Sequence, residues 1–284
     1  MKKFISILEE IKNNIFIPRS TPEEKKERLA SRAYKVILDY INNGSQGSLD
    51  LRGTDIEFLP KNLKKVGGSL TLLDCKKLRY LPDNLVVEGS LDLDDCESLE
   101  GLPHGLVVGE RLDIRGTKFS TLPSDLKVGG TLKFLRSSIK SIPDTFEIHT
   151  SLDLENCIFF ESLPKNLEVV PGYLDLYKTK IKELPTNLRF VDGFLDLNDT
   201  PIQSLPNNLK VMGTLKLRSC KNIKTLPNGL EVFRDLVLTD TNIDELPSDL
   251  KIGSNLEIQN TPIAQKYTEE ELRAMITIGG SIYS

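Results

Sequence analysis

The chain of 284 residues has no Trp, only two His and only three Met. His104 and His149 lie far apart in sequence, and none of the four Cys falls in a Cys-x-x-Cys pair, so no zinc site is expected. No Gly-rich phosphate loop, Gly-x-Ser-x-Gly or His-Glu-x-x-His is present, which removes the common signatures of nucleotide and hydrolase chemistry. No run of 18 apolar residues occurs, so no membrane span is expected. The opening Met1 to Leu8 is basic and apolar, but Glu9 and Glu10 cut it too short for a signal peptide. The formal charge is only −4, which points to neither a nucleic acid nor a membrane partner and leaves a cytoplasm as the expected compartment.

What the chain does have is repetition. A branched aliphatic residue precedes Pro ten times: Leu59-Pro60, Leu81-Pro82, Leu102-Pro103, Leu122-Pro123, Ile142-Pro143, Leu163-Pro164, Leu184-Pro185, Leu205-Pro206, Leu226-Pro227 and Leu246-Pro247. A fixed short period is the signature of a solenoid, whose units bury their apolar sides only by stacking. Between the prolines a Leu-x-Leu alternation has the period of a strand with one buried face. Eleven such strands line up, from Leu49-Asp50-Leu51 to Leu256-Glu257-Ile258. Pro cannot sit inside a central strand, so each Leu-Pro begins the return path. A Val-x-Gly-x-Leu element, as at Val128, Gly130 and Leu132, turns the chain back. Glu110, Thr150, Arg234 and Ser254 stand in for that Gly in four units.

Over residues 47–261, roughly three quarters of the chain, this pattern resembles the leucine-rich repeat in its short bacterial Leu-Pro form. The resemblance implies an α/β repeat solenoid with a curved parallel sheet on its concave face. It also implies a buried small residue after each strand, here Thr54, Cys75, Cys96, Thr117, Ser137, Cys157, Thr179, Thr200, Cys220, Thr241 and Thr261. Every Cys unit has one more residue before the next Leu-Pro than a Thr or Ser unit, so the cysteines read as packing positions. A Cys75–Cys96 bridge is the sharper option, and a reducing cytoplasm weighs against it. One departure from the family pattern is a Val or Ile four residues before the first strand Leu. It leaves a bulged strand or a two-sided parallel β-helix open.

Residues 1–46 are expected to form an N-terminal helical cap. A first helix carries Phe4, Ile7, Leu8, Ile11 and Ile15, and a second starts at Thr21-Pro22-Glu23-Glu24. Leu29, Ala33, Val36, Ile37, Tyr40 and Ile41 give the second helix its stripe, and Asn43-Gly44 ends it. Residues 262–284 are expected to be a C-terminal cap with a capping box at Thr268 to Glu271, after which Gly279-Gly280 releases a short tail. A helical hairpin before Leu-Pro repeats also resembles bacterial leucine-rich-repeat effectors, some of which add a ubiquitin-ligase domain. About 23 residues follow the last expected strand, so that activity is not expected here. The repeat style is similar, too, to proteins encoded by bacteriophages and bacteria, a resemblance that carries no activity.

The residue between the two leucines should face the concave side. That column reads Asp50, Thr71, Asp92, Asp113, Lys133, Asp153, Asp175, Asp196, Lys216, Val237, Glu257, of which seven of eleven are acidic. An acidic face disfavours nucleic acid, which needs clustered Lys and Arg. Repeat duplication, with Arg52, Arg115 and Arg218 as neutralising neighbours, would explain the column blandly; a surface for a basic partner is the functional alternative. Beside it stand Tyr173 and Phe194 before the strand leucines and Glu155, Tyr177 and Asn198 after them, aromatics amid charge as in a binding hot spot. The expected function is therefore a non-enzymatic protein-binding scaffold, a bacterial or phage factor acting on host proteins. The expected site is Asp153, Glu155, Tyr173, Asp175, Tyr177, Phe194, Asp196 and Asn198, with no cofactor or metal. A structural subunit or rigid spacer of a larger assembly, such as a phage particle, is the alternative. A carbohydrate-active β-helix enzyme using a carboxyl pair is a remote one.

Overall fold

The computed structural model describes residues 22–284, and the side chains from residue 30 onward. The first candidate helix, Thr21 and the side chain of Leu29 lie outside the described residues. Helix α1 (Pro22–Asn42) buries Ala33 and Ile37 against the first coil, with Tyr34, Tyr40 and Ile41 partly covered. Val36 does not join this stripe and is exposed. Asn43-Gly44 ends the helix as expected: Ser45 N–H reaches Tyr40 O (3.0 Å) and Gly44 N–H reaches Ile41 O (3.1 Å), with Gly44 at φ +81°. This is the Schellman arrangement, in which a left-handed residue lets the last carbonyls be satisfied. The Tyr40 hydroxyl donates to Gly47 O at 2.7 Å and accepts from Gly67 N–H at 3.1 Å, tying the helix to the first coil.

Beyond α1 the chain winds as a parallel solenoid. Its main sheet has twelve two-residue strands in sequence order, from Leu49–Asp50 to Ile282–Tyr283. The leucines are in register from coil to coil, as in Leu152↔Leu174↔Leu195, so each buries itself between identical neighbours. The Val-x-Gly elements form strands of their own. Four of them, from Lys65–Val66 to Lys127–Val128, make one sheet, and six, from Val169–Val170 to Thr277–Ile278, make another. The departure from the family pattern is thus a second parallel face rather than a bulge. The valines point into the core opposite the leucines, and Gly turns the corner between faces. A Cβ on Gly213 would stand 2.7 Å from Gly193 C and Phe194 N, so this corner stacks as closely as it does because Gly213 lacks one.

Each unit ends its strand in the same way. The residue before the small buried position is left-handed in all eleven units, with φ between +56° and +65°. Gly, Asp and Asn fill most of these sites, while Arg136 and Lys178 hold the same conformation without their advantage. The buried residue then secures the turn. Each of the six threonines donates its hydroxyl to the strand carbonyl three residues back, as Thr54 does to Leu51 O at 2.7 Å. The four cysteines do otherwise. Their thiols donate to a carbonyl of the preceding coil, Cys75 to Leu51 O at 3.1 Å and Cys220 to Leu197 O at 2.9 Å. All four are free and buried, with no Cys75–Cys96 bridge. The extra residue of the Cys units forms a further tight turn, closed by Leu78 N–H to Cys75 O and Phe160 N–H to Cys157 O.

The C-terminal segment differs from expectation at one point. Thr261 caps α2 (Pro262–Lys266), and Thr268 with Glu271 forms the expected capping box of α3 (Glu269–Met275). Gly279-Gly280, however, is not the start of a tail. It is one more corner, joining Thr277–Ile278 to Ile282–Tyr283 and adding a final strand to each face. Among the described residues no helix is long and apolar enough to cross a membrane.

Candidate functional site

Three neighbouring strands, Leu152–Asp153, Leu174–Asp175 and Leu195–Asp196, carry the expected site, with Asp153, Asp175 and Asp196 in register. Tyr173 and Phe194 precede the last two strands and stack with ring centroids 4.7 Å apart and planes 7° from parallel. Aromatic pairs prefer offset or edge-on contact, but in-register strands stand about 4.8 Å apart and impose the parallel stack. Both rings, and Tyr177, are half-buried. The sequence reading took this group as the densest exposed aromatics. The most exposed large apolar side chains lie elsewhere, at Tyr80, Ile158, Phe159, Phe233 and Tyr283.

The acidic column has a local task that sequence reasoning missed. In every Asp of the column the carboxylate accepts the backbone N–H two residues on: Asp50 from Arg52, Asp92 from Asp94, Asp113 from Arg115, Asp153 from Glu155, Asp175 from Tyr177 and Asp196 from Asn198, at 3.0–3.3 Å. Alternate N–H groups of a parallel strand feed the next coil; this one points away from the ladder as the strand ends, and the Asp side chain satisfies it. The signal was available in the choice of Asp over Glu, because a short side chain is what closes this ring.

Charge compensation is uneven. Arg52 pairs with Asp50 (2.8 Å), Arg115 with Asp113 and Asp94 (2.7 and 2.8 Å), and Arg218 approaches Glu257 (3.6 Å). Lys216 pairs with Asp196 at 2.9 Å and lies 5.2 Å from the Phe194 ring centre. Asp153, Glu155 and Asp175 have no cation within 4 Å among the described residues, although Lys133 is in register with Asp153. Burial is the main cause that pushes the Asp175 carboxyl up to about 6; neighbouring Asp196, Asp153 and Glu155 add to it, against the Tyr177 N–H bond. Burial and then Asp153 and Asp175 also raise the Tyr173 phenol.

A concave hollow of about 490 Å³ opens over these strands, walled by Glu155, Asp175, Tyr177, Asp196 and Asn198 of the expected set, and by Asp199, Lys216 and Arg218. Asp153, Tyr173 and Phe194 are not among its wall residues. Lys178 lies 4.8 Å from the Tyr177 ring centre, and the Asn198 side-chain oxygen accepts from Arg218 N–H at 2.6 Å. One ligand atom each from Asp153, Glu155 and Asp175 can gather within 4.8 Å. Three carboxylates fall short of the six to eight oxygens that calcium takes.

Two parallel faces, stacked leucines and the buried Thr/Cys position define a parallel-strand repeat solenoid, consistent with a leucine-rich-repeat fold, with an acidic and aromatic hollow on its main sheet. No protein-family model and no curated protein matches the chain. Among solved structures it is similar to a leucine-rich-repeat protein of Leptospira interrogans, at 17% identity over 95% of this chain and 100% of that one, with a TM-score of 0.31. That likeness bears on neither site nor partner.

Proposed function

We propose that the protein is a non-enzymatic binding scaffold whose concave sheet engages a protein partner through basic side chains. The observation that supports this most is the group Asp153, Glu155 and Asp175, half-buried carboxylates left without cations beside the stacked Tyr173 and Phe194. Uncompensated, partly desolvated carboxylates are costly to the free protein, and a partner's Lys or Arg would relieve them. The Lys216–Asp196–Phe194 cluster supplies the pattern within the molecule: an ammonium held by a carboxylate and placed over a ring. The main-sheet ladder holds the strands that carry these groups in register, so little ordering of the strands is needed on binding.

The test is capture of partners from native lysate on immobilised protein, with a Tyr173→Ala, Phe194→Ala double variant and Asp175→Asn run alongside. A partner held by the parent and lost by the folded double variant supports the reading. Equal capture by both sinks the concave face. Self-association that persists in the double variant supports the other expectation, a subunit of a larger assembly.

A further inference from the structure

The second face of the solenoid stops and restarts. Between Lys127–Val128 and Val169–Val170 one coil carries no second-face strand, although the main sheet runs through it unbroken. The hydrogen bonds show where the break lies. At the corner, the residue following the strand donates its N–H to the previous coil: Glu88 to Val66 O, Gly109 to Val87 O, Gly129 to Val108 O, Asp192 to Val170 O, Met212 to Val191 O, Phe233 to Val211 O and Gly253 to Val232 O, at 2.8–3.0 Å. In that column the interrupted coil has His149, and the next coil has Pro171. Pro has no N–H to donate. Among the described residues, Glu147, His149 and Val169 also give no backbone hydrogen bond, so two consecutive steps lack their second-face rungs.

The main sheet feels the break on either side of its centre, Arg136 N–H to Glu155 O standing at 3.3 Å. Leu132 N–H to Ser151 O lengthens to 3.5 Å, while Phe134 N–H to Asp153 O and Leu154 N–H to Asp175 O remain at 2.8 Å. The core crosses the gap, since Ile148 and Leu152 are buried there. The two stacks of coils are therefore joined by the main-sheet strands, by return-path bonds such as Glu161 N–H to Lys140 O (2.8 Å) and the Ser141–Ser162 bridge, and by side-chain packing, with the second face unlatched.

We infer that this coil, residues 143–163, is a hinge about which the N-terminal and C-terminal stacks tilt. The axis runs along the strands at Leu132–Lys133, Leu152–Asp153 and Leu174–Asp175. Spreading the unlatched face breaks no second-face rung there, and it bends the main sheet about Asp153 and Asp175. Elsewhere the same tilt ruptures second-face rungs at every step. The hinge stands on the backbone alone; its use in closing over a guest rests on the concave-face reading.

Spin labels test it directly in the full chain, because the native cysteines are buried and the second-face lysines Lys65, Lys127 and Lys210 are exposed. Labels placed through Lys127→Cys and Lys210→Cys span the break. Labels through Lys65→Cys and Lys127→Cys span unbroken sheet. Pulsed dipolar spectroscopy should give a distance distribution roughly twofold broader for the first pair. Pro171→Met, which supplies the N–H that Met212 gives in its own coil, should narrow it. Equal widths for the two pairs overturn the hinge. A Pro171→Met variant that folds and leaves the broad distribution unchanged overturns the role of the missing rung. Both outcomes are independent of whether the lysate capture finds a partner.

Discussion

The two faces of the solenoid are built from the same coils and yet differ in what they tolerate. The main sheet holds its ladder through twelve strands while the residue between its leucines changes among Asp, Thr, Lys, Val and Glu. That residue points away from the core, so the leucine packing tolerates its changes, although each Asp there also holds the N–H two residues on. The second face keeps its Val or Ile inward with little variation, but its ladder fails where Pro171 takes the place of a donor. Side-chain variety costs a sheet little, whereas the second face opens over two steps, at one of which Pro171 removes the donor. The variable face is thus the one suited to carry recognition, and the interrupted face the one suited to flex.

The largest test of that contrast is core truncation in the interrupted coil. Leu152 is fully buried in the continuous sheet, and Ile148 is 9% exposed on the unlatched face. Leu152→Ala should cost about 3–5 kcal/mol, since a locked backbone cannot collapse into the cavity. Ile148→Ala should cost about 2 kcal/mol, because the loosened coil relaxes around it. Urea unfolding followed by circular dichroism compares the two. A larger loss for Ile148→Ala would show that the second face is not loose.

Within the main sheet, Asp175 and Asp196 are neighbours with opposite charge environments. The Asp175 carboxyl sits above its ordinary value, at about 6, chiefly through burial. The folded state therefore binds its proton more tightly than the unfolded state. Stability from this group is present below about pH 4 and is lost as pH rises to about 6, then stays level. Discounted for its partial exposure, the penalty at neutral pH is about 1 kcal/mol. Asp175→Asn keeps an acceptor for Tyr177 N–H, so it should stabilise by about that amount at pH 7.5 and flatten the slope between pH 4 and 6. Asp196→Asn should instead destabilise, losing about 1 kcal/mol with the Lys216 pair at pH 7.5. Urea midpoints across pH 4–8 decide it. Stabilisation of both variants would mean that the column is uniformly repulsive.

A comparable gain is expected at a strand end. Lys178 holds φ +58° where most other units use Gly, Asp or Asn. Lys178→Gly should stabilise by about 1 kcal/mol, read from the same midpoints, whereas Gly116→Lys in the equivalent place, φ +65°, should destabilise by a similar amount. Opposite signs would confirm that backbone conformation, rather than the Lys178–Tyr177 contact, sets the requirement.

Much of this was readable in the chain. Leu-x-Leu and Leu-Pro give the main sheet and its returns because their periods are properties of one residue's burial and one ring's geometry. The one-residue lengthening of the Cys units was visible as a count, and its cause was not: the thiol reaches the preceding coil, a contact across more than twenty residues. Pro171 was equally in view. Its meaning depends on its column being a second ladder, and two-residue strands leave too short a pattern to announce themselves. The site residues fell on three adjacent strands because register follows from the period. Lys216, which decides which carboxylates are already neutralised, needed side-chain reach as well as register.

The smallest effect separates the two meanings of the acidic column. If Asp92 serves to hold Asp94 N–H, then Asp92→Asn retains the acceptor and should change stability by less than about 0.5 kcal/mol, while Asp92→Ala loses about 1 kcal/mol. A charge-based role ranks them differently: Asn and Ala remove the same charge and should then behave alike. At Asp153, which lacks a cation, Asn should be as well tolerated in stability as at Asp92 and should still weaken capture of a basic partner. Stability read by urea midpoint and binding read by capture then part company along one column. Asp92→Asn should leave binding intact, and Asp153→Asn should reduce it, because the same side-chain hydrogen bond is made at both places and only Asp153 belongs to the carboxylate group with Glu155 and Asp175.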